Sequence, residues 1–280
     1  MTRMTFGARL QRAIGARGRF CAGIDPHPAL LEAWGLTDSV FGLEMFALSA
    51  VEAFGGTAAV VKPQSAFFER HGSRGVAVLE KVVQGCRELG ALVLLDVKRG
   101  DIGSTAQGYA DAYLDRNSPL AVDAITATPY LGTGSLDPMV ETALANDAGV
   151  FVVTLTSNPE GAQVQHATTP DGRSVAGVVL DAIATRNAGV EGLGSIGAVV
   201  GATVELPAGV EPANLDVNGP LLVPGIGAQG GTVDDVRRVF GPACRNVLPS
   251  SSREILGAGP DKGAMHEAVL NAVETFSTLG

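Results

Sequence analysis

Short runs rich in Val, Ile, Leu and Ala recur along this chain, separated by longer segments whose apolar residues repeat at three and four. A continuously apolar short run suits a parallel strand buried on both faces, and a helix is the usual crossover between such strands. The runs predict strands over 20–24, 58–62, 92–98, 121–126, 150–155, 196–200, 221–223 and 246–248. Helical periodicity is clearest over 43–54, 76–89, 104–114, 136–146, 175–187, 233–240 and 261–277. The spacing of these units suits a closed α/β fold, a (β/α)₈ TIM barrel, better than an open sheet. A barrel of this kind commonly runs to about 250 residues, so residues 1–280 are expected to form one domain. Two stretches, 158–173 and 203–220, fit neither period and read as lids or binding loops.

Composition narrows the partners. Twenty Lys and Arg against 29 Asp and Glu give a net charge of −9, which argues against sequence-independent binding to nucleic acid. An anionic substrate would need local cations to capture it. Cys21, Cys86 and Cys244 are odd in number and widely spaced, so neither a disulfide framework nor a zinc site is indicated. His27, His71, His166 and His266 also lack metal-ligand spacing. The N-terminal segment is basic without an apolar core, and nowhere do 18 or more apolar residues run together. A soluble cytoplasmic protein with no membrane partner is the expectation.

In a (β/α)₈ barrel the functional face lies at the C-terminal strand ends, so charges that end apolar runs are the first candidates. FCAGID ends in Asp25, AAVVK in Lys62, and ALVLLDVK carries both Asp96 and Lys98. On a strand of period two, Asp96 and Lys98 share a face with Leu92 and Leu94, which places an ion pair above an apolar plug. Asp101 follows at once, so two carboxylates bracket one lysine in the sequence. An isolated strand-end pair often does no more than stabilise the rim. Four such charges on three strands that a barrel brings to one rim favour a site.

A second constellation is the glycine-rich LLVPGIGAQGG, with Gly225, Gly227, Gly230 and Gly231, leading into the helix expected from 233. Such a backbone can wrap an anion at a helix N-terminus, and barrels commonly bind phosphate after strands seven and eight. The eighth run then delivers Arg253, whose guanidinium fork matches phosphate oxygens.

DVKRGD resembles the DxKxxD motif of the orotidine 5′-phosphate decarboxylase family. GIDPHP, VKPQSAFFERHG, TATPYLG, LTSNPEG and VPGIGAQGG are similar to segments of its longer bacterial members, in the same order. The resemblance implies a cofactor-free decarboxylase of orotidine 5′-phosphate that forms a homodimer. It implies Lys98 as proton donor to C6 of the pyrimidine, with Asp96 beside the substrate carboxylate. Asp101 would cross the dimer interface into the partner's site, with Ile102 and Thr105 nearby. Asp25 and Lys62 would bind ribose hydroxyls, Ser157 the pyrimidine edge, and Gln229 and Arg253 the phosphate; Pro224 joins the substrate-binding set. The VKPQ motif and the longer loops depart from the shorter members of the family.

Other readings of the same residues remain open at this level. A Mg²⁺-dependent sugar-phosphate decarboxylase or synthase shares the motif, with its carboxylates helping to bind metal. A Schiff-base aldolase would need a neutral Lys98, which flanking carboxylates oppose. A non-catalytic phosphate-binding barrel would have to retain costly converging charges for binding alone.

Overall fold

The computed structural model describes residues 3–227 and 230–279. Eight parallel strands, β1 (Cys21–Ile24), β2 (Val60–Pro63), β3 (Leu92–Arg99), β4 (Ala124–Ala127), β5 (Gly149–Leu155), β6 (Ile196–Val200), β7 (Leu221–Val223) and β8 (Val247–Ser251), pair in chain order. The barrel closes where Cys21 of β1 lies beside Ser250 of β8. Nearly every strand residue is buried, because one face looks into the barrel and the other is covered by helices. The helices are α1 (Phe6–Arg17), α2 (Pro28–Ala33), α3 (Val40–Phe54), α4 (Ala66–Glu69), α5 (Gly72–Glu88), α6 (Gly103–Leu114), α7 (Asp137–Ala145), α8 (Ala162–Gln165), α9 (Val175–Arg186), α10 (Val233–Phe240), α11 (Arg253–Leu256) and α12 (Lys262–Phe276).

Each of the eight expected strands is present, β6 and β7 with the expected ends and the other six with shifted ones. The fourth starts at Ala124 rather than 121, because the Asp123 carboxylate accepts the N–H of Val93 and pairs with Arg9 at the barrel floor. The eighth continues to Ser251 through Pro249, a residue that lacks a ladder donor and reads as a loop in sequence. The segment 203–220 does not hang free as a lid: Val204, Val210, Leu215 and Val217 are buried and hold it to the core.

Two apolar layers result. The larger one joins the outer strand faces to the helices, while the smaller fills the barrel with Cys21, Val60, Leu94, Phe151, Leu222 and Leu248. Helix α1 closes the N-terminal end of the barrel. Thr5 caps it by accepting the N–H of Ala8, and its Phe6 meets Phe151 edge to face with centroids 5.9 Å apart. Gly149 admits that ring, since a β-carbon there would collide with it. A cavity of about 460 Å³ lies at this same end. Three of its four lining arginines, Arg9, Arg87 and Arg116, are tied to carbonyl or carboxylate oxygens, which makes it a stapled floor. With the floor plugged, the opposite end is left for chemistry.

Candidate active site

Strand β3 ends where the regular alternation fails. Leu95 lies opposite Ile125 while Arg99 lies opposite Ala127, so β3 uses more residues than β4 over that span. The slack is taken up at Lys98, whose φ of 44° is in the left-handed region that lysine rarely adopts. Such a conformation costs about 1–3 kcal/mol and persists only when its surroundings over-determine it. Here they do. The Lys98 N–H donates to Thr126 Oγ1 at 2.9 Å, its carbonyl accepts from Thr128 Oγ1 at 3.2 Å, and the Thr128 N–H donates to the Arg99 carbonyl at 2.8 Å. Lys98 thus reaches Asp96, as two-residue spacing suggests, but through a bulge rather than a plain pleat.

Asp96 is the centre of the site. Its Oδ1 accepts from Lys98 Nζ and from Thr126 Oγ1, each at 2.7 Å. Its Oδ2 accepts from Gln64 Nε2 at 2.9 Å and from Lys62 Nζ at 3.3 Å. Four donors thereby occupy the roughly four lone-pair positions of a carboxylate. Burial, with only 6% of Asp96 exposed, would raise its pKa. The charges of Lys62 and Lys98, with hydrogen bonds from Lys98 and Thr126, overcome that and hold the carboxyl well below the usual carboxylate range. Lys62 is as deeply buried, which would lower its pKa, yet the Asp25 and Asp96 carboxylates raise it above the ordinary lysine value. Lys98 differs: 46% of its side chain is exposed, at the barrel mouth.

A cleft of about 280 Å³ opens beside this network, lined by Asp25, His27, Lys62, Gln64, Pro224 and Arg253 among others. Asp25 Oδ1 and Ser252 Oγ are buried there without a hydrogen-bond partner among the described residues. Buried polar atoms are normally satisfied, so both await a ligand group or water. The His27 ring packs on Phe67 with centroids 4.2 Å apart.

Of the residues singled out in sequence, the structure gathers Asp25, Lys62, Asp96, Lys98, Pro224 and Arg253 at one mouth. Asp101 is not paired with Lys98 in the same chain; its Oδ1 accepts the N–H of Ile102. Ile102, Thr105 and Ser157 are exposed on the segments that follow β3 and β5, outside the cleft. Gln229 lies outside the described residues. Sequence reasoning missed Gln64, Thr126 and Ser252. Gln64 sits two residues beyond Lys62, hence on its face, and Thr126 ends the fourth apolar run, so the rule that found Lys98 could have found both.

Asp96, its lone pairs engaged, offers no free oxygen to a cation. Among the described residues no group of three or more His, Cys, Asp and Glu side chains is placed to hold a metal.

The sequence profile of the orotidine 5′-phosphate decarboxylase / HUMPS family matches residues 18–268. The chain belongs to this family. Among its relatives, the orotidine 5′-phosphate decarboxylase of Salinispora tropica is 62% identical over 264 residues, 94% of each chain. That of Streptomyces coelicolor is 57% identical over 263 residues, again 94% of each. A crystal structure from Streptomyces avermitilis superposes with a TM-score of 0.94 at 56% identity, covering 99% of this chain and 96% of that one. The family match agrees with the resemblance read from DVKRGD and its companion motifs.

Proposed function

We propose that this chain converts orotidine 5′-phosphate to UMP and carbon dioxide without metal or coenzyme, as a carboxy-lyase of pyrimidine biosynthesis. The observation that carries the reading is the saturation of Asp96 by two ammonium groups, an amide and a hydroxyl. When the bond from C6 to the carboxylate breaks, the electron pair stays on C6 as a localised carbanion that no adjacent carbonyl can absorb. The protein must stabilise that charge electrostatically. An ammonium anchored by Asp96 at the mouth of the barrel does so, and then gives its proton to C6; solvent reprotonates Lys98. Asp96 acts chiefly by orienting Lys98, and its own repulsion of the substrate carboxylate is the smaller effect.

The remaining roles follow from what each group lacks. A ribose hydroxyl would satisfy Asp25 Oδ1, with Lys62 beside it. Arg253, with Gln229 and the Ser252 hydroxyl, would hold the phosphate against the glycine-rich segment; Pro224 walls the cleft and Ser157 meets the pyrimidine edge. Binding energy at the remote phosphate can then be spent on assembling the charged site. Asp101, with Ile102 and Thr105, would serve the site of a second copy in a homodimer. Ile102 at 62% exposure, Tyr130 at 76% and Leu131 at 52% give that copy an apolar surface to cover. No helix of the described residues is long and apolar enough to cross a membrane, which fits a single catalytic domain working in the cytoplasm.

A Mg²⁺-dependent sugar-phosphate reaction is disfavoured because a hard cation needs free carboxylate oxygens, and those of Asp96 are taken. Protein stripped of metal by exhaustive chelation should deplete the ultraviolet absorbance of orotidine 5′-phosphate and yield UMP at the untreated rate. Turnover that vanishes on chelation and returns with Mg²⁺, or no turnover at all, would refute the proposal.

A further inference from the structure

Beyond the barrel wall, on the side away from the cleft, a second ion pair backs the catalytic strand. Arg99 follows Lys98 directly, and its guanidinium pairs with Glu69 of α4 while lying over the Tyr109 ring and within 3.5 Å of the Tyr113 hydroxyl of α6. Glu69 also accepts from Ser65 Oγ at 2.6 Å, and the Ser65 N–H donates to the Asp96 carbonyl at 3.2 Å. The contacts therefore form a ring that runs from Asp96 through Ser65, Glu69 and Arg99 to Lys98, and back to Asp96 through the ammonium.

From this ring we propose that the Arg99–Glu69 pair is a positioning device that holds Lys98 in its left-handed conformation and so sets where its ammonium stands. The inference rests on the decarboxylase reading above. The pair makes a poor fold-stabilising element. Its side chains are 28% and 37% exposed, a setting in which ion pairs add little stability, and Arg99 Nε is buried without an acceptor among the described residues. What the pair adds to the Thr128 hydrogen bonds is a side-chain tether on the peptide that follows a strained residue. Thr126 fixes the N-terminal side, and with both sides held the strained φ has no route to relax. Freed from Glu69, Arg99 would leave that peptide to the Thr128 hydrogen bonds alone, and the ammonium would shift from C6 while the cleft that binds ribose and phosphate is untouched.

The test compares Arg99→Met and Glu69→Gln with wild type for kcat, KM and affinity for UMP. The expected result is an unchanged melting temperature and UMP affinity, KM within a few-fold, and kcat lower by about 100-fold, the scale of a misplacement near 1 Å. Glu69→Gln can still accept from Ser65, so it reports on the charge if Arg99→Met does not fold. Full kcat in Glu69→Gln, or losses of kcat and UMP affinity that match, would overturn the inference. A wild type that fails to decarboxylate would instead overturn the reading on which it rests.

Discussion

Asp96 has to be an anion in a place where anions are expensive. Burial pushes its proton affinity up, and the two lysines with Thr126 push it further down, so it stays ionised well below the ordinary carboxylate range. The consequence for stability follows from linkage. A carboxylate whose folded pKa is depressed contributes stability that is complete above the unfolded value, about 3.9, and lost as pH falls through the folded one. Urea midpoints measured from neutral pH downward should therefore fall more steeply below about pH 4 in wild type than in Asp96→Asn. Parallel curves would show that Asp96 does not titrate as described. At this scale the sequence is informative wherever a charge ends an apolar run, as with Asp25, Lys62 and Lys98. It is less so for Thr126 and Gln64, whose neutral side chains become conspicuous only once they are seen to complete the shell around Asp96.

Elements carry the site by what they leave unstable as well as by what they pack. The bulge at the end of β3 was hidden in the sequence, because a residue two along from Asp96 satisfies the alternation rule whether the strand is regular or not. The basic N-terminal segment concealed α1 in a similar way: its arginines catch the eye, yet Phe6 and Leu10, four apart behind a Thr5 cap, carry the helical signal. Those two side chains are buried beneath Phe151 and Leu193 and complete the plug. Truncating Phe6 to Ala should cost about 3–5 kcal/mol of stability, read as a lowered denaturation midpoint. A loss below about 1 kcal/mol, within the reach of surface substitutions, would mean that α1 is not part of the barrel's core. The eight strands themselves were legible because each is a short apolar run between helical segments. The ends of β4 and β8 were not, since Asp123 and Pro249 act through tertiary contacts and register.

For the whole molecule, the barrel separates stability from chemistry: arginines tied to backbone carbonyls staple the floor, while the converging charges stand at the mouth. The proposed homodimer is not legible in the sequence of one chain, and Asp101, whose Oδ1 accepts the Ile102 N–H, is the residue on which it turns. If two copies share Asp101 as proposed, mixing Lys98→Ala with Asp101→Ala protein should restore about a quarter of the wild-type rate on random reassortment, because each hybrid dimer would regain one intact site. No recovery would place Asp101 in the service of its own chain or of none. A single ammonium group stands at the centre of the proposed chemistry, and the most direct measurement is turnover and UMP affinity in one preparation of Lys98→Ala. The expected outcome is a kcat lower by on the order of 10³-fold with UMP bound within about tenfold of wild type, a change of about 1.4 kcal/mol or less. A variant that still decarboxylates at close to the wild-type rate would contradict the account.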